Sequence, residues 1–245
     1  MKNNFVIKFI LFVLISGISV AAIAFFLGEL DLPGENARMT LGELPPLRYT
    51  TVIIDAGHGG EDGGTSSAAG LVEKDVNLDI ALRLKNLLES AGVNVVLTRS
   101  DDRLLYDRNI DYQGRKKKLD LAARLEIMES APDAIFVSIH MNSFTDKSCS
   151  GLQVWYSKND PISSELAKTI QSGAAKDLGA EGVRVVKEAT SAIAILDRAT
   201  CPAVLVECGF LSNPDEAAKF ATAEYRQQNA EAISDAIIAF LRDTE

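Results

Sequence analysis

The segment between residues 51 and 98 constrains the fold of this chain more than any other part of it. It begins with a β-branched run, Thr51–Ile54, which is typical of a buried strand and leads into a glycine-rich turn. From about Glu73 to Ser90 apolar residues recur at helical spacing, and a second apolar run, Val93–Thr98, predicts the next strand. A strand, a helix and a strand in this order favour parallel pairing through a right-handed crossover. The segment therefore predicts a fold of the α/β class.

The same alternation of strands and helices continues along the rest of the chain. Further apolar runs predict strands at Ala134–Ile139, Leu152–Tyr156, Val183–Val186 and Ala203–Val206. Helical patterns are found in the stretch before Ser130 and at Ile162–Leu178, Ala217–Phe220 and Tyr225–Leu241. We therefore expect a single three-layer α/β domain whose mostly parallel sheet is covered by helices on both faces. In such a sheet, the crevice that binds a ligand lies beyond the carboxyl ends of the strands.

Composition limits the kinds of partner that this domain can have. The hydrophobic content of 47% is sufficient for a core that does not depend on disulfides, and no C-x-x-C spacing is present. We expect the three cysteines, Cys149, Cys201 and Cys208, to be packing residues. The net charge of −9 argues against nucleic acid as a partner. A basic run, Arg115–Lys118, is interpreted as a solvated helix start, with a contact to an anionic polymer as the alternative.

The N-terminal residues have the features of an export or anchoring signal. Phe9–Leu27 is a run of nineteen residues without a charge, long enough to span a bilayer core of roughly 30 Å. Lys2 and Lys8 precede it and favour an N-terminus that stays inside, so that the remaining chain is exported. Ala22-Ile23-Ala24 resembles a cleavage site, which leaves a signal peptide open as the alternative to an anchor. We expect an anchor or signal peptide in residues 1–30, a linker in 31–48 and the catalytic domain in 49–245.

The candidate chemical residues follow predicted strands or begin a predicted helix. His58 and His140, the two histidines of the chain, each come after a strand, and Glu73 begins a helix. Two neutral imidazoles and one carboxylate suit zinc, with a fourth position left for water. Glu207, directly after an apolar strand, is placed to take a proton from that water and pass it to a leaving amine. Asp55 is expected to orient His58.

Taken one at a time, these residues also have structural interpretations. A histidine after a strand is often structural, and a glutamate at a helix start, such as Glu73, is commonly a partner of the helix dipole. Glu207 is harder to explain in this way, because an unpaired carboxylate next to an apolar strand is costly. The residue types alone therefore leave the metal site as one of two interpretations.

Four motifs in this chain resemble those of the zinc-dependent N-acetylmuramoyl-L-alanine amidases of bacterial cell walls, of the Amidase_3 type. They are Ile54–Gly60 (IDAGHGG), Glu73-Lys74, Ser138–Ser143 (SIHMNS) and Pro202–Pro214 (PAVLVECGFLSNP), in family order within about residues 50–242. The resemblance implies a mixed six-stranded sheet between helices. It also implies that His58, Glu73 and His140 bind zinc and that Glu207 is the catalytic base. The implied reaction is hydrolysis of the amide between N-acetylmuramic acid and L-alanine of the stem peptide.

The resemblance extends to a particular subtype. A single exported catalytic domain with Asp62-Gly63-Gly64 after the Gly-His turn looks most like the germination-specific amidases of the spore cortex, which help to form muramic-δ-lactam. The alternatives are a vegetative autolysin amidase, another zinc hydrolase such as a carboxypeptidase or a deacetylase, and a non-catalytic wall-binding module.

Location and partners follow from the same resemblance and from the N-terminal segment. We expect peptidoglycan as substrate, an activating protein that helps to hold the metal, and contact with the membrane through the N-terminal segment. We expect the protein to be exported and either anchored at the outer face of the cytoplasmic membrane, which includes the spore intermembrane space, or secreted.

Overall fold

The structure, a computed structural model, describes residues 47–107, 109, 113–179 and 184–243. The predicted anchor and almost all of the predicted linker lie outside the described residues. Within the described ranges, no helix combines the length and the apolar character needed to cross a membrane. The described residues all belong to one compact unit.

Six strands form one sheet in the described part of the chain, in the order β2-β1-β3-β6-β4-β5. Their bounds are β1 Thr51–Ala56, β2 Asn94–Leu97, β3 Ile135–Asn142, β4 Gln153–Tyr156, β5 Lys187–Glu188 and β6 Ala203–Phe210. All neighbouring pairs are parallel except β4 and β6, which are antiparallel. The prediction of a mostly parallel, mixed sheet of six strands is confirmed.

Helices cover both faces of this sheet. Those in the described ranges are α1 Glu73–Ser90, α2 Lys116–Glu129, α3 Ile162–Asp177, α4 Ala194–Asp197, α5 Pro214–Phe220 and α6 Ala223–Arg242. Helices α1, α3, α5 and α6 contribute to the larger hydrophobic cluster, and α2 and α4 contribute to a smaller one on the opposite face. The domain therefore has three layers, as the sequence predicts.

The central strands are apolar throughout because both of their faces are covered. In β1, Val52 and Ile54 belong to the larger cluster, whereas Ile53 between them packs with Met128 in the smaller cluster. A strand buried on both faces shows a nearly continuous apolar run in place of an alternating one. This burial fixes the carboxyl end of β1 at the centre of the sheet, beside β3.

The predicted strand bounds differ most from the structure at β3, β5 and β6. Strands β3 and β6 continue to Asn142 and Phe210, because they are neighbours and their pairing persists beyond the apolar runs that predicted them. The strand predicted over Val183–Val186 is wrong at the described residues 184–186, and two-residue β5 lies at Lys187–Glu188 instead. This edge strand forms because its two residues pair with the end of β4, and the hydropathy of the sequence does not predict such a pairing.

Candidate metal centre

A sharp turn after β1 carries His58 to the carboxyl edge of the sheet. His58 has a φ of 61°, and Gly59 and Gly60 have φ values of 136° and 55°. These left-handed conformations are easy for the two glycines and rare for a residue with a side chain. Gly57, just before the turn, still pairs with β3 through its N–H, which donates to the Ile139 carbonyl at 3.0 Å.

The structure brings His58, Glu73 and His140 together around one point. Glu73 Oε1 lies 3.2 Å from His58 Nε2 and 2.9 Å from His140 Nδ1. The two imidazole rings are 4.9 Å apart between centroids and nearly perpendicular. One ligand atom from each of the three side chains lies within 4.8 Å of the others. The arrangement is therefore compact enough for the three residues to share a metal ion.

The Glu73 carboxylate is held in place by the backbone around it. Its Oε2 accepts from the Thr65 N–H at 2.8 Å, and its Oε1 accepts from the Met141 N–H at 3.1 Å. Burial by itself would raise the pKa of Glu73, but the hydrogen bonds from His140 and His58 outweigh it and hold that pKa far below its ordinary value. Glu73 is consequently an anionic group fixed between two imidazoles.

Two glycines leave the space that these side chains occupy. A Cβ added at Gly57 would lie 2.2 Å from His140 Nε2, and one added at Gly64 would lie 2.4 Å from Glu73 Oε2. Real Cβ atoms essentially never approach another heavy atom so closely. The glycines of the turn therefore serve the placement of the candidate ligands as well as the path of the backbone.

The residue that orients His58 is Asp62, and the expectation that Asp55 does so is wrong. Asp62 Oδ2 lies 3.0 Å from His58 Nδ1, and Lys117 Nζ pairs with Asp62 Oδ1 at 3.0 Å. The Asp55 carboxylate instead accepts hydrogen bonds from the hydroxyls of Thr98 and Ser138 and from the guanidinium of Arg124. Asp55 lies within β1, so its side chain is on the same face of the sheet as that of Ile53 and on the opposite face to that of Ala56. The sequence signal for Asp62 was its position four residues after His58 in the same turn.

Glu207 lies on the strand next to His140. The two residues are directly paired in the register between β3 and β6. Glu207 Oε2 is buried and has no hydrogen-bond partner in the described ranges. Burial, the largest influence, raises the pKa of Glu207 to about 7. A second carboxylate thus stands beside the cluster with an uncommitted oxygen atom.

An open cleft of about 410 Å³ lies over these side chains and is lined by His58, His140 and Glu207. Its apolar side is formed by Ile193 and Leu205 among others, and Lys117 stands at its polar side. Helix α2 begins at Lys116, and the Lys117 side chain is 79% exposed, which confirms the interpretation of the basic run as a solvated helix start. The two histidines and Glu207 are therefore accessible to a substrate from one side.

The domain has the features of a metal-dependent hydrolase. Two imidazoles and a carboxylate meet at the carboxyl edge of its sheet, and a second carboxylate lies on a strand beside them. The family model described as N-acetylmuramoyl-L-alanine amidase (Amidase_3) matches residues 52–239. The chain belongs to this family. It is a cell-wall hydrolase that cleaves the amide between N-acetylmuramic acid and L-alanine in peptidoglycan, and the family prediction made from the four motifs is confirmed.

Individual relatives agree with this assignment. The germination-specific N-acetylmuramoyl-L-alanine amidase of Bacillus subtilis is 31% identical over 198 residues, which cover 81% of this chain and 82% of the relative. The amidase LytC of the same organism is 34% identical over 199 residues, covering 80% of this chain and 36% of LytC. Among solved structures, the CwlD amidase from Clostridioides difficile, in complex with the GerS lipoprotein, is 38% identical with a TM-score of 0.74, covering 78% of this chain and 98% of that chain.

Proposed function

We propose that this amidase is zinc-dependent and removes stem peptides from the peptidoglycan of the spore cortex. In this proposal His58, Glu73 and His140 bind zinc, and Glu207 is the catalytic base. The observation that carries it is the meeting of two imidazoles and one carboxylate at a single point, with the uncommitted Glu207 oxygen on the neighbouring strand.

The donor set fits zinc. Two imidazole nitrogens and one carboxylate oxygen, with a position left open, are typical of a catalytic zinc site. Asp62 binds Nδ1 of His58, so that Nε2 faces Glu73, and an outer carboxylate of this kind fixes the orientation of a metal-binding histidine. The space left by Gly57 and Gly64 keeps His140 and Glu73 at the same point.

Zinc bound there would act as a Lewis acid that polarises the scissile carbonyl and makes water nucleophilic near neutral pH. Glu207 then has two duties in this proposal. Its free oxygen accepts a proton from the attacking water, and it returns that proton to the nitrogen of L-alanine as the amide breaks. Ile193 and Leu205 line the same cleft as this carboxylate and give it an apolar side.

The test is substitution of Glu207 combined with analysis of metal and products. Glu207→Gln should retain zinc and lose on the order of 10²–10⁴ in kcat, because it removes the proton acceptor and keeps the shape of the side chain. Glu188→Gln, on the exposed edge strand, is the matched control and should behave as wild type. His140→Ala should lose zinc. Full activity of Glu207→Gln would remove Glu207 from the mechanism.

Mass spectrometry of digested peptidoglycan tests the reaction. Stem peptides that begin with L-alanine are expected. A single released amino acid would indicate a carboxypeptidase, and released acetate would indicate a deacetylase.

The spore-cortex proposal is supported by the roles of two similar proteins. The Bacillus subtilis relative is germination-specific, and the similar C. difficile structure is of the CwlD amidase. Deleting the gene should abolish muramic-δ-lactam in the cortex of the organism that encodes this chain. Normal δ-lactam together with impaired separation of vegetative cells would instead indicate an autolysin.

The location and the protein partner are part of the same proposal. We infer that residues 1–30 export or anchor the protein, that residues 31–48 are a linker, and that the catalytic domain of residues 49–245 acts outside the cytoplasmic membrane. An activating protein is proposed because the CwlD relative was solved with a lipoprotein. Weak zinc retention is expected in the isolated protein, and full zinc occupancy with full activity would argue against a required activator.

A further inference from the structure

Three consecutive backbone carbonyls of the His58 turn are bound by two buried arginines. Arg99 is 1% exposed and Arg124 is 5% exposed. Arg99 donates from Nε to the Ala56 carbonyl at 2.8 Å and from Nη2 to the Gly57 carbonyl at 3.0 Å. Arg124 donates from Nη1 to the Ala56 carbonyl at 3.0 Å and from Nη2 to the His58 carbonyl at 2.7 Å. The backbone of the turn is thus held by two guanidinium groups, one of which, that of Arg124, also lines the cleft.

Arg99 also joins this turn to the segment that carries Glu73. Its Nη2 donates to the carbonyl of Lys74, the residue after Glu73, at 2.9 Å, and its Nη1 donates to the Asp101 carbonyl at 3.0 Å. Across the described residues, no carboxylate lies within ion-pair distance of this guanidinium, and all its hydrogen bonds go to backbone oxygens. Burying a charge without a paired carboxylate is expensive, so the arrangement calls for a role beyond packing.

Arg124 joins the same turn to the strand that carries His140. Its guanidinium pairs with Asp55, and Asp55 Oδ2 accepts from the Ser138 hydroxyl at 2.6 Å. Ser138 precedes His140 by two residues in β3. Asp120 accepts from Arg124 Nε at 2.8 Å and holds the guanidinium from the side of α2. The three segments that carry the candidate ligands are therefore linked through two side chains.

The conformation of His58 explains why such links are needed. A residue with a side chain at φ 61° is strained, and strain of this kind persists only where surrounding contacts determine the conformation. The carbonyl of His58 itself and that of Gly57 before it are both bound by guanidinium groups. Without them, the turn would be free to relax and to rotate the imidazole away from Glu73.

We propose that Arg99 and Arg124 are positioning residues of the metal centre, which hold the backbone beside His58, Glu73 and His140 in the arrangement that binds zinc. The inference rests on the proposed function, because it takes these three residues to be the zinc ligands. Lysine keeps the positive charge, but its compact ammonium group lacks the planar array of five donors with which a guanidinium spans carbonyls on separate segments. Arg99→Lys should therefore weaken zinc binding even where the fold is retained.

The test measures the zinc dissociation constant of the full chain by competition with a chromophoric chelator, alongside its urea midpoint. Arg99→Lys should raise the zinc dissociation constant by about 10–100-fold, the usual effect of removing support from a metal ligand. It should also change the visible spectrum of the cobalt-substituted protein. Arg226→Lys is the matched control, because Arg226 pairs with Asp79, six residues after Glu73 in α1, and its other hydrogen bonds go to the Phe220 and Ala221 carbonyls. It should lower the urea midpoint and leave the zinc dissociation constant unchanged.

Each outcome has a distinct meaning. Wild-type protein that binds no zinc even when zinc is supplied in excess would overturn the proposed function. Wild-type affinity in Arg99→Lys, with stability lowered as in the control, would overturn only the positioning role. If Arg99→Lys does not fold, Arg124→Lys is measured in the same way, and a weakened zinc affinity in a folded variant supports the proposal. Unchanged affinity, or failure of this variant to fold as well, would show that the pair serves the fold and not the metal centre.

Discussion

Substitution of Gly57 by alanine tests whether the metal centre depends on the space that this glycine leaves. The new Cβ would lie 2.2 Å from His140 Nε2, whereas ordinary contacts begin near 3.4 Å, so that the imidazole must move by about 1.2 Å. Metal–ligand distances in proteins tolerate deviations of only about 0.2 Å. Since φ at Gly57 is not in the left-handed region, the change acts through this steric contact and not through backbone strain.

Gly57→Ala should therefore weaken zinc binding by on the order of 100-fold, as when a ligand loses its orientation. Overpacking should also lower the free energy of unfolding by about 1–3 kcal/mol. Chelator competition measures the first effect and urea unfolding of the metal-free protein measures the second. Gly63→Ala is the matched control in the same loop, because its Cβ would meet only the Val72 side chain, at 3.3 Å. Zinc affinity in Gly57→Ala within about twofold of that control would refute the steric argument, given the 10–100-fold effects usual at metal sites.

Three further predictions follow from the site. Removal of zinc with a chelator should lower the melting temperature, since free zinc at a hundredfold excess over its dissociation constant stabilises the folded state by about 2.7 kcal/mol; an unchanged melting temperature would contradict zinc binding. Asp62→Asn should weaken zinc binding by about 10–100-fold because His58 loses its carboxylate partner, and equal affinity to wild type in the chelator assay would exclude that role. Burial would raise the pKa of Asp55, but Arg124, Ser138 and Thr98 hold that pKa below its ordinary value. The ionised Asp55 therefore stabilises the folded protein above the pKa it has in the unfolded chain, and this stabilisation is lost as the pH falls through its pKa in the folded protein. Urea unfolding of the metal-free protein should accordingly show a smaller loss of stability on acidification in Asp55→Asn than in wild type, and parallel pH profiles would count against this assignment.

The sequence predicts best those strands and helices whose residues follow a local pattern of apolar side chains. Strand β1 and the start of α1 at Glu73 follow from a β-branched run and from helical spacing, and both agree with the structure. The extension of β3 to Asn142 depends on its partner strand, because pairing continues after the apolar pattern stops. Hydropathy also gave no signal for two-residue β5, which exists only through its pairing with β4.

Part of the site is predictable because its residues are close to predicted strands and to a predicted helix start. Its four candidate residues lie after a strand, in the second half of a strand or at a helix start, where the topology of a parallel sheet gathers them. The apolar run that predicts β1 ends at Ile54 and does not show that Asp55 still belongs to the strand, whereas Asp62 lies in the turn with His58. The role of Arg99 and Arg124 is not visible in the sequence either, because arginine is ordinarily a surface residue. These two are buried, and the backbone carbonyls that bind them are brought together only when the turn has folded.

The pairing of His140 with Glu207 across adjacent strands has a consequence for variation within the family. Neighbouring strands lie about 4.8 Å apart whatever the length of the loops that connect them, so the sheet itself sets the spacing of these two groups. Insertions or exchanges in the surrounding loops can reshape the cleft without disturbing that spacing. Engineering toward a different wall polymer should accordingly begin with the loops and leave the two strands as they are.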